Sequence, residues 1–329
     1  MDLLKPFFWG YKAIAPRLNK YSEHGAEIIG IGDNGVWTLN RLMKADLNLL
    51  KCLVLHRDLR RLGRAKAWRI EMGDESWKGI EKAGVAAFLT LPRSVQRFYD
   101  YCDRNLYEER PAFVLADLAE NIGRETAPAV AKISNLLGGM GIAVVRMPVQ
   151  EDYARQKDVV AGKELYERFY ALCEYARAVI VLEDTCEDVL QGVPAAKAME
   201  KRQSDFVGDF LRGMQGDDAA LLDWKSAGRF LSGYRCFWQA WSSEGADVRA
   251  AMAEARQMLA RGGALQKTKG VFVMITGKAG LVDLRDVQGA MAELAAAIDE
   301  DTEVMLHVNS EKEFDDSVRV NMAVKVELM

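Results

Sequence analysis

The sequence predicts an α/β protein: a parallel sheet covered by helices on both faces, then a long central helix, then a smaller α+β domain. Three observations support this prediction. Short continuous apolar runs alternate with amphipathic stretches through the first half of the chain, which is typical of strands buried on both faces. A helical stretch without proline runs from Ala195 to Met214. The C-terminal segment alternates apolar and polar residues with a period of two, as an antiparallel strand does.

The first half contains five predicted strands, most of them followed by a helix. The strands are Glu27–Gly32, Cys52–Leu55, Ala112–Ala116, Ile142–Val145 and Ala178–Leu182. The helices are Asn34–Lys44, Arg124–Leu137 and Lys163–Arg177. This alternation predicts parallel strands joined by crossover helices.

The second half has a different pattern. The predicted helices are Ala195–Met214, Ala227–Trp241, Asp247–Ala260 and Leu284–Ile298. The predicted strands are Gly270–Thr276, Thr302–Val308 and Ser317–Glu327, and we expect the last to be antiparallel with one covered face. The predicted division is an N-terminal extension at 1–24, a parallel-sheet domain at 25–193, a central helix at 194–216 and an α+β domain at 217–329.

Composition excludes several classes of protein. The 329 residues carry 44 Lys and Arg against 48 Asp and Glu, and half of them are hydrophobic. This balance argues against a disordered chain and against a nucleic-acid binder. No apolar run approaches the ~20 residues of a membrane-spanning helix. Five widely spaced cysteines and three histidines form no zinc pattern, so we expect no metal and a cytoplasmic location with reduced thiols.

Two surface features each allow two interpretations. The aromatic and lysine-containing segment Met1–Lys12 suits a helix docked on its own domain or an interfacial membrane anchor. A basic stretch, comprising Arg57, Arg60, Arg61, Arg64, Lys66 and Arg69, suits a solvated helix face or a surface for anionic lipid or an acidic partner. Membrane association therefore stays open beside a purely cytoplasmic location.

A glycine loop lies between the first strand and the first helix. Gly30, Gly32 and Gly35 form the pattern G-x-G-x-x-G. Glycines let the backbone approach a phosphate, and the helix N-terminus offers free N–H groups, so the pattern predicts a Rossmann-like nucleotide-binding domain. Arg57 after the second strand could meet a 2′-phosphate, which makes an NADP-dependent oxidoreductase one hypothesis. A tight turn that binds no ligand is the alternative.

Several segments together resemble one family. Thr126–Ala131 reads TAPAVA and follows the strand Ala112–Ala116, and Gly141–Pro148 reads GIAVVRMP. These resemble the AAP-x-VA and AVVTKP segments of FtsZ, the bacterial relative of tubulin. Gly30–Asn40, Asp58, Gly270–Gly277 and Ser317–Val320 match further FtsZ segments in the same order. Over about residues 25–327 the chain is identified as a divergent, FtsZ-like member of the FtsZ/tubulin superfamily.

The resemblance implies a GTP or GDP site and names its residues. The first loop would contribute Gly30, Gly32, Asp33, Asn34 and Gly35, and the second would contribute Asp58. The third would contribute Asn121, Gly123 and Arg124, and Glu151 and Arg155 would contact ribose and phosphate. In the family, two acidic residues of the next subunit activate the attacking water. Here Asp223 matches the first acid, but Ser226 replaces the second and is too weak a base at neutral pH.

The chain departs from the family at the centre of this site. The family's GGGTGTG loop is replaced by Ala119–Glu125, which keeps only one glycine and adds Glu120 and Glu125. One carboxylate about 5 Å from a phosphate charge costs roughly 3 kcal/mol at an effective dielectric near 20. Alternatively, both carboxylates point to solvent from helix N-terminal turns. We expect Arg124 or a Mg²⁺ ion to offset part of the charge that Asp33 adds.

Guanine recognition is also altered. Trp37 replaces the asparagine that the resemblance would place on the base, and it either fills the base site or is a core aromatic residue. The family's guanine-reading aspartate falls near Lys201.

Three functional hypotheses follow. The first is a cytoskeletal or scaffold protein that forms head-to-tail filaments with weak or absent GTP binding and hydrolysis. The second is an active polymerising GTPase of the FtsZ type, and the third is the NADP-dependent oxidoreductase. Expected partners are further copies of the chain, in longitudinal contacts anchored by Trp224 on one edge and by Trp37 with Arg124 near the other. Cell-division or membrane-associated proteins are further candidate partners, and nucleic acid is not.

Overall fold

The computed structural model describes residues 26–45, 51–63, 65, 67–82, 91–105, 110–148, 159–183, 195–215, 224–261, 263–311 and 314–328. Within these ranges, no helix is both long enough and apolar enough to cross a membrane.

The first half alternates strands and helices as the apolar pattern predicts. Its strands are β1 (Glu27–Ile31), β2 (Lys51–His56), β3 (Trp68–Glu71), β4 (Pro111–Asp117), β5 (Met140–Met147) and β6 (Ala178–Glu183). Its helices are α1 (Gly32–Leu42), α2 (Leu59–Leu62), α3 (Arg93–Asn105), α4 (Asn121–Leu136) and α5 (Val159–Tyr175). The five predicted strands and three predicted helices are confirmed, whereas β3, α2 and α3 were not predicted.

The second half begins with the long helix α6 (Ala195–Gln215). The elements after it are α7 (Trp224–Leu231), β7 (Cys236–Gly245), α8 (Val248–Arg261), β8 (Gly270–Lys278), α9 (Leu284–Ala295), β9 (Glu303–Glu311) and β10 (Val318–Glu327). The predicted central helix, Ala195–Met214, is confirmed, and α6 extends one residue further, to Gln215.

Within the described ranges, ten strands form one sheet in the order β3-β2-β1-β4-β5-β6-β7-β10-β8-β9. The strands from β3 to β7 are parallel to their neighbours. The last strand, β10, is antiparallel to both β7 and β8, and β9 is parallel to β8. Three residue pairs, from Ile180–Trp238 to Leu182–Ala240, join β6 to β7, so the sheet continues from the first half of the chain into the second. The predicted domain boundaries remain a prediction.

Helices cover both faces of this sheet. One face packs against α1, α2, α6 and α7, in a core that runs from Ile28 in β1 to Phe272 and Ala323 in β8 and β10. The other face packs against α3, α4 and α5 in the first half and against α8 and α9 in the second. Because α6 lies on the first face, it touches both halves of the sheet.

One predicted helix is partly wrong. The sequence pattern predicts a helix over Ala227–Trp241, but α7 ends at Leu231 and Cys236–Gly245 forms the strand β7. Apolar and aromatic residues such as Trp238 and Trp241 are compatible with either state. Pairing of β7 with both β6 and β10 decides for the strand, because a helix here would leave the sheet interrupted.

The expectation that the last strand has one covered face is also wrong. Val318, Val320, Met322 and Val324 of β10 are buried against α8 and α9, as the alternation predicts. The opposite face is buried too, because α6 covers it, and it carries Arg319 and Asn321. Burial of these polar side chains is compensated because Asp209 of α6 accepts hydrogen bonds from both.

Candidate functional site

The glycine loop lies at the upper edge of the sheet, where β1, β2 and β4 end and α1 and α4 begin. A Cβ atom added to Gly35 would lie 2.4 Å from the carbonyl carbon of Gly30, so this pair lets α1 pack directly on the end of β1. Gly32 has φ +72°, which disfavours any side chain there. Close backbone packing therefore accounts for Gly30 and Gly35, and the positive φ angle accounts for Gly32.

The loop after β4 meets the glycine loop at this edge. Asp117 ends β4 and is paired with Arg146 of β5, whose Nη1 lies 2.9 Å from Asp117 Oδ2. The backbone N–H of Ala119 donates to Asp117 Oδ1 at 2.8 Å. A Cβ atom on Gly123 would lie 2.2 Å from the carbonyl oxygen of Asp117, so the absence of a side chain at Gly123 lets α4 approach β4 closely.

Glu120, the residue immediately before α4, places its carboxylate on the glycine loop. A Cβ atom on Gly32 would lie 2.2 Å from Glu120 Oε2. The backbone N–H groups of Asn34 and Asp33, in the first turn of α1, donate hydrogen bonds to this carboxylate. Burial, and then the charges of Asp117 and Asp33, raise the pKa of Glu120 to about 7, and the two N–H donors offset only part of that rise. The expectation that this carboxylate points to solvent is wrong.

Asp33 has two partners that the sequence did not indicate. Nε2 of His56 and Nε of Arg61 each lie 3.3 Å from its Oδ1. Nδ1 of His56 accepts the N–H of Asp58 at 2.8 Å, so the neutral ring carries its proton on Nε2, facing Asp33. In this structure the charge of Asp33 is paired with Arg61, and the Arg124 guanidinium is bonded to Leu118 and Asn121 instead.

The basic stretch after β2 belongs to this site in part. Arg57 Nη2 lies 2.5 Å from Glu125 Oε2, and Arg61 pairs with Asp33 as described. The helix in this stretch, α2, is four residues long, and Arg69 lies in β3. The interpretation as one solvated helix face is therefore wrong, because the chain turns after β2 and returns as a strand.

Two candidate residues, Arg124 and Asn34, are buried here. Arg124 is 7% exposed, and its guanidinium donates to the carbonyl of Leu118 at 3.3 Å and to the side chain of Asn121. Asn34 is 2% exposed, and neither atom of its side-chain amide has a hydrogen-bond partner among the described residues. Arg124 is therefore unsuited to the predicted role of a surface anchor.

The charges of the site balance as a set. Four arginines, Arg57, Arg61, Arg124 and Arg146, stand against four carboxylates, Asp33, Asp117, Glu120 and Glu125. Three of these carboxylates have a cation within 3.3 Å. Across the part of the chain that the structure describes, Glu120 is the one of the four with no cationic partner, and its bonds are to backbone N–H groups.

The structure places some predicted residues away from this centre. Asp58 is exposed and accepts the N–H of Arg60, which caps the short α2. Trp37 is partly buried against the core on the α6 side of the sheet, as expected of a core aromatic residue. Lys201 of α6 pairs with Asp205 and Glu244. Glu151, Arg155, Asp223 and the segment Met1–Lys12 lie outside the described residues.

The opposite edge of the sheet, where β5 and β6 begin, is called the base edge. It carries a cleft of about 430 Å³ formed by the ends of α4 and α5 and by α7. Its lining includes three exposed cations, Arg177, Lys225 and Arg229. Ser226, which follows Lys225 on α7, is also exposed. The lining also includes one exposed carboxylate, Glu174, so the described residues around the cleft carry a net positive charge at the base edge.

Solved structures share this architecture over nearly the whole chain. The FtsZ of M. jannaschii, solved as an empty dimer, superposes with a TM-score of 0.72 at 18% identity over 93% of this chain and 89% of that one. This chain has the FtsZ/tubulin fold. CetZ2 from Haloferax volcanii, solved as a GTPγS-bound protofilament, has a TM-score of 0.64 at 14% identity, covering 91% of this chain and 92% of its own.

Comparisons of sequence also find FtsZ proteins, at about 25% identity. Cell division protein FtsZ 1 of Thermococcus kodakarensis is 26% identical over 144 residues, which is 42% of this chain and 37% of that protein. The FtsZ 1 of Pyrococcus furiosus is 25% identical over 181 residues, or 53% of this chain and 45% of that protein. The FtsZ-like chain therefore matches less than half the length of these curated relatives. No protein-family profile matches it.

Proposed function

We propose that this FtsZ-like chain is a cytoskeletal or scaffold subunit that associates head to tail, with weak or absent binding and hydrolysis of GTP. The observation that carries the proposal is the position of the Glu120 carboxylate on the first turn of α1. Free N–H groups at a helix N-terminus are what an anionic ligand needs. Here a side chain of the protein itself accepts them.

Electrostatics supports weak binding of a triphosphate. A carboxylate within about 5 Å of a phosphate charge costs roughly 3 kcal/mol at an effective dielectric near 20. For the ionised form of Glu120, which predominates above its pKa of about 7, that is about a hundredfold in affinity. The other three carboxylates of the site are paired with cations, so they repel an anion less. Glu120 is therefore the dominant obstacle to a phosphate at this edge.

The base edge supports the loss of hydrolysis. An FtsZ-type mechanism needs acidic residues there to activate water for the neighbouring subunit. The described residues that begin α7 include the exposed Lys225 and Ser226, and neither is a base at neutral pH that could polarise water. Asp223 stays a candidate for one acid, but a cation two residues later works against its basicity.

Association without nucleotide draws support from both edges. Exposed cations at the base-edge cleft would meet an upper edge whose charges balance as a set and which exposes the carboxylate of Asp58. Opposite charges on two different surfaces favour a heterologous, head-to-tail contact. The structural relative from M. jannaschii was solved as an empty dimer, which is in keeping with contact in the absence of nucleotide.

A second candidate is a GTPase of the FtsZ type, and one observation favours it. The side-chain amide of Asn34 is buried without a partner beside the glycine loop, which is where a ligand atom would satisfy it. CetZ2 was solved with GTPγS and CetZ1 with GDP. The oxidoreductase hypothesis has less support, because Glu125 already holds Arg57, which was its candidate for a 2′-phosphate.

Calorimetry with GTP and GDP separates the two candidates, together with light scattering and electron microscopy with and without GTP. We expect no binding tighter than about 100 μM and association that is the same in both conditions. Micromolar binding of either nucleotide would support the second candidate. A protein that stays monomeric at tens of micromolar in both conditions would refute the scaffold.

A further inference from the structure

The sheet ends on one side at β9, whose only strand neighbour among the described residues is β8. Two hydrogen bonds at the ends of this pairing show which backbone groups of β9 face outward. The N–H of Glu303 donates to the carbonyl of Lys269 at 3.1 Å, and the carbonyl of Glu311 accepts the N–H of Ala279 at 2.8 Å. Backbone groups of successive residues point to opposite sides of a strand, so the odd-numbered residues of β9 face β8 and the even-numbered ones face outward.

The outward-facing residues of β9 are Val304, Leu306, Val308 and Ser310. No described strand pairs with their N–H and C=O groups. The side chains of Val304 and Leu306 are also exposed, by 41% and 39%, whereas Val308 packs against the core under α8 and α9. Natural edge strands are usually short, or they carry Lys, Pro or a bulge that prevents pairing. The nine residues of β9 include no Lys, Arg or Pro, so this edge can accept a further strand.

The helix α9 extends the apolar surface beside this edge. Asp286 and Glu293 of α9 pair with arginines of α8, which lies over β7 and β10. The opposite flank of α9 therefore faces away from α8, towards the β9 side of the sheet, because α9 is the crossover between β8 and β9. This flank carries Leu284, Gln288 and Ala295, all of them exposed, and Leu284 by 70%.

The start of the same edge is acidic. Residues 299–311 contain five carboxylates and no Lys or Arg. Two of the five are held in ion pairs by cations of neighbouring elements. The other three, Asp299, Glu300 and Glu303, are exposed at or just before the start of β9, and no described cation forms an ion pair with them. The charge here is complementary to a cationic partner.

A second copy of this chain does not suit the edge. Two β9 strands paired antiparallel would bring the acidic start of each strand towards Glu311 at the end of the other, and neither strand contains Lys or Arg. Like charges that face each other across paired strands destabilise the pairing. A segment of a different protein, with cations beside Glu303, has no such conflict.

We propose that the free edge of β9 is a docking site for an extended, basic segment of a partner protein, which adds an antiparallel strand to the sheet. Apolar residues at alternate positions of this segment cover Val304, Leu306 and the exposed flank of α9. Lys or Arg residues at its C-terminal end lie beside the carboxylates at the start of β9. Main-chain hydrogen bonds supply the affinity and the alternate side chains the specificity. Because β9 is at the side of the sheet, this docking is independent of head-to-tail association through the strand ends.

The test uses a fluorescently labelled, end-capped peptide of about ten residues, in which valine and threonine alternate before a run of lysines. We expect fluorescence anisotropy to give a Kd of about 10–100 μM at about 100 mM salt. The same peptide with glutamates in place of the lysines should bind at least about tenfold more weakly. Hydrogen exchange should slow at about four backbone N–H groups of β9, those of the even-numbered residues. Lack of binding below about 1 mM, equal binding of the two peptides, or binding without this protection would overturn the proposal.

Two variants of β9 should weaken binding of the lysine peptide at least about tenfold. Leu306→Pro removes an outward-facing N–H and leaves the bonds to β8 in place. Val304→Lys combined with Leu306→Lys keeps the backbone intact and adds repulsion to the peptide, so it decides the test if circular dichroism shows that the proline variant does not fold. Leu136→Lys is the matched control, because this leucine of α4 is 55% exposed and far along the chain from β9. Unchanged binding by the double lysine variant, or equal weakening by the control, would refute docking at β9.

Discussion

At the scale of single residues, Glu120 shows how one side chain can change what a loop does. The glycines of the first loop are all retained, and their contacts explain them by packing alone. What differs is the partner of the N–H groups that those glycines expose. A glutamate three residues after the end of β4 reaches them, because parallel strands β1 and β4 are neighbours and end at the same edge.

The pKa of Glu120 gives a prediction about stability and pH. Its value in the folded protein is about 7, raised from 4.5 by burial and by Asp117 and Asp33. A carboxyl with a raised pKa contributes its stability at low pH, and that contribution is lost as the pH rises through the folded value. The free energy of unfolding should therefore fall by about 1–3 kcal/mol in total as the pH rises from about 4.5 to 7, because the folded protein disfavours the charged carboxylate.

Urea unfolding of Glu120→Gln against wild type from pH 5 to 8 measures this effect. The variant stays neutral, so it should be more stable than wild type by about 1–3 kcal/mol at pH 8, with the difference vanishing near pH 5. Glu125→Gln is the control, because it breaks a partly exposed ion pair with Arg57 and should lower stability by up to about 1 kcal/mol. The measured quantity is the stability of Glu120→Gln minus that of wild type. If this difference is smaller at pH 8 than at pH 5, the prediction is wrong.

At the scale of elements, buried charges tie the helix α6 to the second half of the sheet. Asp209 is fully buried, and both of its oxygens lie within 3.4 Å of the Arg319 guanidinium of β10. Asn321 donates to the same carboxylate at 2.7 Å, and Arg212 lies 2.9 Å from it. Glu244 of β7 pairs with Arg319 at 2.8 Å, so one network ties α6 to two strands.

Breaking this network should be costly. Asp209→Ala leaves Arg319 buried with fewer carboxylates around it, and removal of one partner from a buried pair typically costs about 3–5 kcal/mol. Urea unfolding monitored by tryptophan fluorescence measures the loss. Lys201→Ala is the matched control at the rim of the same network, where its partly exposed pairs with Asp205 and Glu244 should be worth less than about 1 kcal/mol. Equal losses in both variants would show that burial of Asp209 is not what matters.

At the scale of the whole molecule, the two edges of the sheet have different charge. The base edge has a net positive charge around its cleft, from Arg177, Lys225 and Arg229 against Glu174, whereas the charges of the upper edge balance and include the exposed Asp58. A contact between unlike edges repeats without closing on itself, so it produces a filament. Charge then contributes mainly to the encounter of subunits and to their register.

Reversal of charge at the base edge tests this contact. Lys225→Glu combined with Arg229→Glu should weaken nucleotide-independent association at least tenfold, because like charges would then meet across the interface. Sedimentation velocity across a range of concentrations measures the change. Arg256→Glu is the control on the face of the sheet, where the residue pairs with Glu293 of α9, and it should leave association unchanged. Weakening that is equal in both proteins would place the contact elsewhere.

The periodicity of the sequence determined most of the architecture by itself. Continuous apolar runs such as Ile28–Ile31 and Phe113–Ala116, short and bounded by turn residues, are typical of strands buried on both faces. The stretch of α6 lacks proline and is long enough to cross both halves of the sheet. Gly30, Gly32 and Gly35 marked the turn from β1 to α1, because only glycine fits that approach and that φ angle. The resemblance to FtsZ rested on the same local features.

Tertiary structure alone decided the rest, because the deciding partners are distant in sequence. Residues 236–241 have an apolar pattern compatible with helix or strand, and pairing with β6 and β10 made them a strand. The second covered face of β10 depends on α6, about 110 residues earlier. The chemistry of the site was decided in the same way: Glu120, Asp33, His56 and Arg61 converge because three parallel strands end at one edge, and no local pattern encodes which carboxylate then receives which donor.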